Sequence, residues 1–335
     1  MYKSGSLGDI VQQSMTAERA VWIGAASFED RCTASLSALA SAGAVFTEAI
    51  VLDYGNSSGS AVEVDLRRKN ISKMRELGAR LLRQEPRLFV VNAYSFQELQ
   101  DCILALSGDA DLVVADISCF TKIHTLALAS CLPTMSRLPI HYIAYSVPES
   151  YTHLGSRRAL PGWRDIIVAP LSDCAGLVNE THGRGVIIPG HEADRLIVGL
   201  AELEPSGGII IHAETSRRPD LRYVSETANR KALRQLTKKH PEAWKTYIVG
   251  TEEYSVLASR VRREIDLARS NNAPVILFPY GPKSHVYCAG AVLASEYPES
   301  SWFVYPIPLL YDLEYSSGVE RTVWLAGSTP SSDAA

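Results

Sequence analysis

A chain that repeats itself can fold only into what one repeat folds into, taken twice, and here Thr121-Lys122-Ile123-His124 returns as Pro282-Lys283-Ser284-His285. The two lysines stand 161 residues apart, and so do the two histidines. The flanks hold nearly the same spacing. Asp111 to Asp116 answers Pro274 to Phe278, and Tyr145 to Tyr151 answers Tyr305 to Tyr311. Further upstream, Val21 to Gly24 leading into Glu29-Asp30-Arg31 is echoed by Val186 to Pro189 leading into Glu192-Ala193-Asp194-Arg195. A near-constant offset over most of the chain predicts internal duplication, and it fixes the domain count ahead of other inferences.

Length agrees: 335 residues suit two domains, each large enough for its own core. Residues 18–155 are expected to form the first, 156–184 a connector, 185–325 the second, and 326–335 a disordered tail of small polar residues. A net charge of −4 offers no global basic surface for duplex nucleic acid, so an anionic partner has to be met locally. The six cysteines show no C-x-x-C pair and no metal-ligand spacing, and read as free thiols of a cytoplasmic protein. No run approaches the roughly 18 apolar residues of a membrane span, and the start of the chain does not look like a secretory leader.

Within each repeat, short Val- and Ile-rich runs alternate with helix-length amphipathic stretches. Strands are expected at 21–25, 49–53, 88–92, 112–116 and 140–145, and again at 185–188, 208–212, 246–249, 275–278 and 302–305. Helices are expected between the first set at 29–42, 62–83, 96–106 and 122–134. Crossovers of that length imply α/β architecture: two tandem Rossmann-like domains, each a doubly wound parallel sheet.

Ligands of such sheets gather beyond the carboxyl ends of the strands. The turn after the fourth strand carries the strongest chemistry. It opens a helix, whose first N–H groups and dipole favour an anion, and it places Lys122 or Lys283 in the first turn. Ser118 and Gly281 are small enough to let a phosphate approach, and Thr121 can cap the helix or donate a hydroxyl. The plainer alternative makes Thr121 a cap and the lysines solvated. His124 and His285, two residues on, are candidates to touch a ribose or base, or else internal residues satisfied by a loop carbonyl. After the first strand, Ser27 and Arg31 lie across the crevice as candidate contacts, although Ser27 with Asp30 also reads as a capping box. Tyr145, Tyr151, Tyr305, Tyr311 and Tyr315 could stack on bases or pack internally. Arg217, Arg218 and Arg222 stand in a ligand-side loop of the second half only, facing the neutral Gly-Ser loop at 54–60 of the first; a cleft shared by the halves would then bind one ligand per chain. The chain lacks both G-x-x-x-x-G-K-[ST] and G-x-G-x-x-G, so neither a P-loop nor a standard dinucleotide site is expected; no cofactor and no metal is called for.

Asp116-Ile117-Ser118-Cys119-Phe120-Thr121-Lys122, followed by an apolar helix, resembles the signature of CRISPR-associated Rossmann-fold (CARF) ligand domains, and Gly281-Pro282-Lys283 is similar in the second copy. The resemblance covers those two turns and the general strand order. It implies contacts from Thr121, Lys122 and Lys283 to a cyclic oligoadenylate, with Ser27 as the first-strand contact. Cys119-Phe120 stands where a glycine pair is expected, and Pro282 replaces the threonine, so the cradle and its ligand can differ. Such domains generally work as dimers, which two copies in one chain could imitate. No nuclease constellation, winged-helix pattern or spanning segment follows the second repeat. The expected function is therefore a nucleotide or cyclic-oligonucleotide sensor of a prokaryotic defence system, acting through a separate effector. The alternatives are a metal-independent phosphodiesterase of the ring-nuclease kind, in which Lys122 or Lys283 stabilises the phosphorane and a ribose hydroxyl attacks, a nucleoside or nucleotide-sugar enzyme using Glu29 or Glu192, and a scaffold with a vestigial crevice.

Overall fold

The Val- and Ile-rich runs become strands, those at the centre of each sheet buried on both faces as parallel strands covered by crossover helices are, those at residues 87–90 and 244–250 largely exposed. The computed structural model describes residues 2–54, 61–82, 86–92, 95–107, 109–135, 138, 140–151, 162–172, 183–215, 218–308 and 316–328. The chain divides into two units, one of Met1–Thr152 with Asp312–Ala335 and one of His153–Tyr311.

The first unit opens with β1 (Tyr2–Ser4) and α1 (Leu7–Thr16), and continues as β2 (Ala20–Ala26), α2 (Ala34–Ser41), β3 (Glu48–Asp53), α3 (Ala61–Leu82), β4 (Arg87–Val90), α4 (Phe96–Ser107), β5 (Leu112–Asp116), α5 (Lys122–Cys131), β6 (Ile140–Val147) and β7 (Ser150–Tyr151). The second unit comprises β8 (Trp163–Pro170), β9 (Arg184–Ile188), α6 (Ala193–Glu202), β10 (Gly207–Glu214), α7 (Asp220–Lys239), β11 (Trp244–Gly250), α8 (Tyr254–Ser270), β12 (Val275–Pro279), α9 (Lys283–Glu296) and β13 (Ser301–Pro308). The chain then returns to the first unit as β14 (Ser316–Ser317) and β15 (Arg321–Ser328).

The strand orders are β1-β15-β6-β5-β2-β3-β4 and β11-β10-β9-β12-β13-β8. Five parallel strands of each sheet share one connectivity: the first strand lies centrally, with the second and third on one side and the fourth and fifth on the other. Each sheet adds an antiparallel strand beside its fifth, and the source of that strand differs from the expected domains. β15, from the end of the chain, pairs with β6, while β8 lies in the stretch read as a connector and pairs with β13. The sixth strand of each sheet is thus contributed by the segment that follows the other repeat. This corrects the expected boundary at 325, and Ala326–Ser328 are strand rather than tail.

The helix after the fourth strand is enclosed on every side in both units. Ile123 to Cys131 of α5 and Ser284 to Ala294 of α9 are buried without interruption, as in a helix at the centre of a fold. In the first unit the core under the sheet collects Trp22, Leu36, Leu39, Val51, Met74, Val114 and Trp324, the last carried in by β15. Among the described residues, no helix is long and apolar enough to cross a membrane.

Candidate functional site

Lys122 and Lys283 occupy the same place in their units, each the first residue of the helix leaving the fourth strand. The two helix starts differ chemically. Thr121 caps α5, its Oγ1 accepting from the His124 N–H at 3.1 Å. Pro282 provides α9 with no side-chain cap, so the N–H groups of that first turn are not consumed by one. Gly281 is required where it stands, because a Cβ would lie 2.5 Å from Ile188 Cγ2 and 3.2 Å from the Pro189 carbonyl oxygen. Close approach to the end of the first strand, rather than room for a phosphate alone, accounts for it.

The histidines are internal. His124 is fully buried between the Tyr54 hydroxyl (3.1 Å from Nδ1) and the Asn92 carbonyl (2.9 Å from Nε2). His285 is equally buried, its Nε2 2.9 Å from the Gly250 carbonyl. Asn92 and Gly250 follow or end the third strand of their sheets, so each imidazole ties the strand-four helix to the strand-three loop. Burial lowers both to pKa values of about 4, which leaves them neutral, with Nε2–H as donor. These placements correct the expectation that the histidines reach toward a ribose or base: their rings are engaged by the protein's own carbonyls.

Ser118 is likewise used internally. Its N–H donates to Asp116 at 2.8 Å, and its Oγ accepts from the Ser146 N–H at 2.8 Å. Asp116 also accepts a hydrogen bond from Ser35; burial raises its pKa against the opposing pull of its hydrogen bonds from Ser118 and Ser35. Cys119, in the same turn, is held as a thiol by a hydrogen bond with Cys32 and by burial.

After the first strand, the expected capping box does not form. Residues Asp30–Thr33 make a 3-10 turn, α2 begins only at Ala34, and Ser27 Oγ accepts from the Glu29 N–H at 3.2 Å. Arg31 is buried, paired with Glu29, and donates to the Ser146 carbonyl and to Ser316 Oγ at 3.1 and 3.2 Å. Burial opposes its charge, but Glu29 more than restores it, so its pKa rises. The second unit repeats the device. Arg195, 5 % exposed, pairs with Glu192 at 2.7 Å and donates to the Tyr305 hydroxyl at 2.7 Å. Arg31 and Tyr305 therefore serve internal polar networks in place of the expected ligand contacts, and Glu29 and Glu192 are each neutralised by an arginine. Tyr145 is half-buried and adds to the raised pKa of Arg31.

Sequence reasoning passed over one pair. Asn70 of α3 donates to the carbonyls of Ser27 (2.8 Å) and Glu29 (3.2 Å), and Asn229 of α7 donates to that of Gly190 at 2.7 Å. An asparagine from the helix between strands two and three thus clamps the strand-one loop in each unit. Their separation of 159 residues, close to that of the lysines, was the signal that could have found them.

In the second unit, Arg218 is held by Asp220 through two hydrogen bonds of 3.0 and 2.8 Å, and Arg222 by Glu214 and Glu226 at 2.6 and 3.2 Å. Both charges expected for a ligand are met locally. Arg217, Tyr311, Tyr315, Cys174 and the loop at 55–60 lie outside the described residues.

No family model matches the chain, and neither does any curated protein. Among solved structures, the chain is similar to a Type III CRISPR defence DNA nuclease activated by cyclic oligoadenylate, at 6 % identity and a TM-score of 0.52, over 85 % of this chain and 65 % of that one. The chain thus spans somewhat less than two thirds of that nuclease. Slighter likenesses, which bear no argument, are to the methyltransferase domain of bacterial CtHen1-CN (14 % identity, TM-score 0.24, 43 % of this chain and 66 % of that one) and to a universal stress protein from Archaeoglobus fulgidus (11 %, TM-score 0.24, 84 % and 95 %). At 6 % identity, the first likeness speaks to the fold alone. The protein is accordingly an α/β protein of two Rossmann-like units, a fold it shares with that nuclease.

Proposed function

We propose that the chain binds an anionic nucleotide, preferentially a cyclic oligonucleotide, at the strand-four turns of two units that arose by duplication, and that it serves as a sensor in a prokaryotic defence system. The observation that carries this reading is the pairing of Lys122 with Lys283, each opening the helix after strand four, each followed at the second position by a buried neutral histidine bound to a strand-three carbonyl. Helix starts of this kind present N–H groups and a positive dipole end to an anion, and the lysine adds a full charge at the same point. The fold shared with a nuclease activated by cyclic oligoadenylate supports the choice of ligand class. The internal networks around His124, His285, Arg31 and Arg195 act as supports: they fix the turns and hold Lys122 and Lys283 at their helix starts.

The test is mass spectrometry of small molecules released from the purified protein, followed by incubation with a panel of cyclic oligoadenylates. An intact ligand retained by the protein supports a sensor, whereas linear products assign it a ring-opening activity. Lys122→Ala and Lys283→Ala are expected to weaken binding roughly 10- to 150-fold without unfolding the protein, the loss of one charge-assisted contact each. Unchanged affinity in the double variant returns both lysines to the surface.

A further inference from the structure

Away from the strand-four turns, the second unit has a cleft of about 220 Å³ between α7 and the outer strands of its sheet, lined by Ile210 and His212 of β10, Thr246 of β11, and Glu226, Arg230 and Arg234 of α7. Arg230 and Arg234 are one turn apart and so share a helix face. At the start of the same helix and just before it, arginines are consumed by carboxylates: Arg222 by Glu214 and Glu226, and Arg218 by Asp220. The two in the cleft are not. Among the described residues, Arg230 touches only the Thr227 hydroxyl, at 3.2 Å, and no ion pair holds Arg234.

His212 supplies an independent observation. It is 5 % exposed, and its Nδ1 is buried with no hydrogen-bond partner among the described residues. A buried polar atom left unsatisfied is rare and needs a reason. The fold does not supply one. With Val21–Gly24 set against Val186–Pro189, and on the face turned to the helix after strand two, the position of His212 is filled in the first unit by Val51, a core residue. An imidazole stands in place of an aliphatic side chain where two guanidinium groups with no ion pair among the described residues line the same cleft. Burial also lowers the His212 pKa, so the ring is neutral near pH 7 and keeps both a donor and an acceptor.

We propose that this cleft is a second anion site of the protein, taking a phosphate group held by Arg230 and Arg234, with His212 and Thr246 beneath it. Donors from three elements converge on one volume, and a tetrahedral phosphate has enough oxygens to satisfy them, where a carboxylate has two. A volume of about 220 Å³ lies below the roughly 300 to 1,000 Å³ of pockets for whole drug-sized ligands, so the site fits a phosphate and little of what it is attached to. Glu226 also lines the cleft; Arg222, shared with Glu214, offsets part of its charge, and Arg230 with Arg234 outweighs the rest.

The test is calorimetric titration of the full chain with inorganic phosphate and, separately, adenosine 5′-monophosphate, with the His212 ring nitrogens followed by NMR. Binding is expected to fall by about 10-fold or more in the Arg230→Ala/Arg234→Ala variant. It should fall in His212→Val and His212→Asn too, the first of which copies the first unit and should keep or raise the melting temperature. Phosphate should still shift the His212 resonances when Lys122 and Lys283 are both replaced by alanine, even where heat from the strand-four turns is lost, which separates the two sites. Tighter binding of phosphate assigns a free ion, and tighter binding of the monophosphate a nucleotide-borne group; either supports the site. An undiminished His212 response in the double arginine variant, its loss in the double lysine variant, or static His212 resonances under saturating phosphate would overturn it.

Discussion

Acid should weaken both units through histidines that burial keeps neutral. Burial lowers His124 to about 4 and His141 to about 3 in the first unit, and His285 to about 4 in the second. An unfolded histidine titrates near 6.5, so between these values the unfolded chain binds protons that the folded chain refuses. Stability that is complete above about pH 6.5 is therefore lost as the pH falls toward the folded values. Working the linkage from pH 7 to pH 5 gives a loss of about 2 kcal/mol for each such histidine, hence about 4 kcal/mol for the first unit and about 2 kcal/mol from His285 in the second. His212, also lowered, adds to the second unit in the same direction. Against a typical domain stability of roughly 5 to 15 kcal/mol, the first figure is large. Peptide-resolved hydrogen exchange in graded urea at the two pH values would separate the units, with β2 and β5 reporting one and β9 and β12 the other. His124→Gln should lower stability at pH 7, yet remove about 2 kcal/mol of the first unit's pH dependence. An undiminished slope in the variant would refute the assignment of His124 as buried and neutral.

Gly281→Ala should destabilise the second unit by about 1 to 3 kcal/mol, because the new Cβ would sit 2.5 Å from Ile188 Cγ2; thermal unfolding measures it, and an unchanged midpoint would count against the close approach. Asn70→Ala leaves two carbonyls of the strand-one loop without their donor, and should cost about 1 to 3 kcal/mol and speed amide exchange between Ser27 and Cys32. Asn229→Ala should do the same around Gly190, where the asparagine is fully buried.

The central parallel strands were legible because they are covered on both faces and read as apolar runs: Leu112–Asp116 matched to the residue, and the other strands, the exposed outer β4 and β11 among them, within a few. The antiparallel additions were not. β8 begins directly after Pro161-Gly162 and carries Arg164 and Asp165 at its outer end, so it looks like a connector, and β15 runs into a tail of serine, threonine and alanine. Only partners distant in sequence, β13 and β6, make strands of them. The candidate site was legible in position but not in use. Polar residues at strand ends attract a ligand reading, yet Arg31, Ser118 and His124 spend their hydrogen bonds on carbonyls, hydroxyls and carboxylates of the chain itself, and the Tyr305 hydroxyl accepts from the Arg195 guanidinium. No local pattern distinguishes a donor aimed at a ligand from one aimed at a loop 30 or 100 residues away.

The returning strand makes a sharper test of how the chain is built than any single side chain. If residues 185–325 formed a self-sufficient second domain, removing everything after Tyr311 would damage that domain and spare the first. The pairing of β15 predicts the reverse. Eight residues, Arg321 to Ser328, align with Val147 to Ile140, and Val323, Trp324, Leu325 and Ala326 are buried there. Ser316, lost with them, hydrogen-bonds both Glu29 and Arg31 at 2.7 and 3.2 Å. Full burial of one Val or Leu side chain contributes roughly 1.5 to 3 kcal/mol, so this strand carries on the order of 5 kcal/mol or more, comparable with the whole margin of a domain. Truncation at Tyr311 should therefore unfold the first unit, or leave β2, β5 and β6 exchanging freely, while β9, β10 and β12 keep their protection. Supplying residues 312–335 as a separate peptide should restore protection in β6 and raise the melting temperature. Loss confined to β9, β12 and β13, or a truncated chain whose first unit exchanges as slowly as before, would show that the last strand does not complete the first sheet.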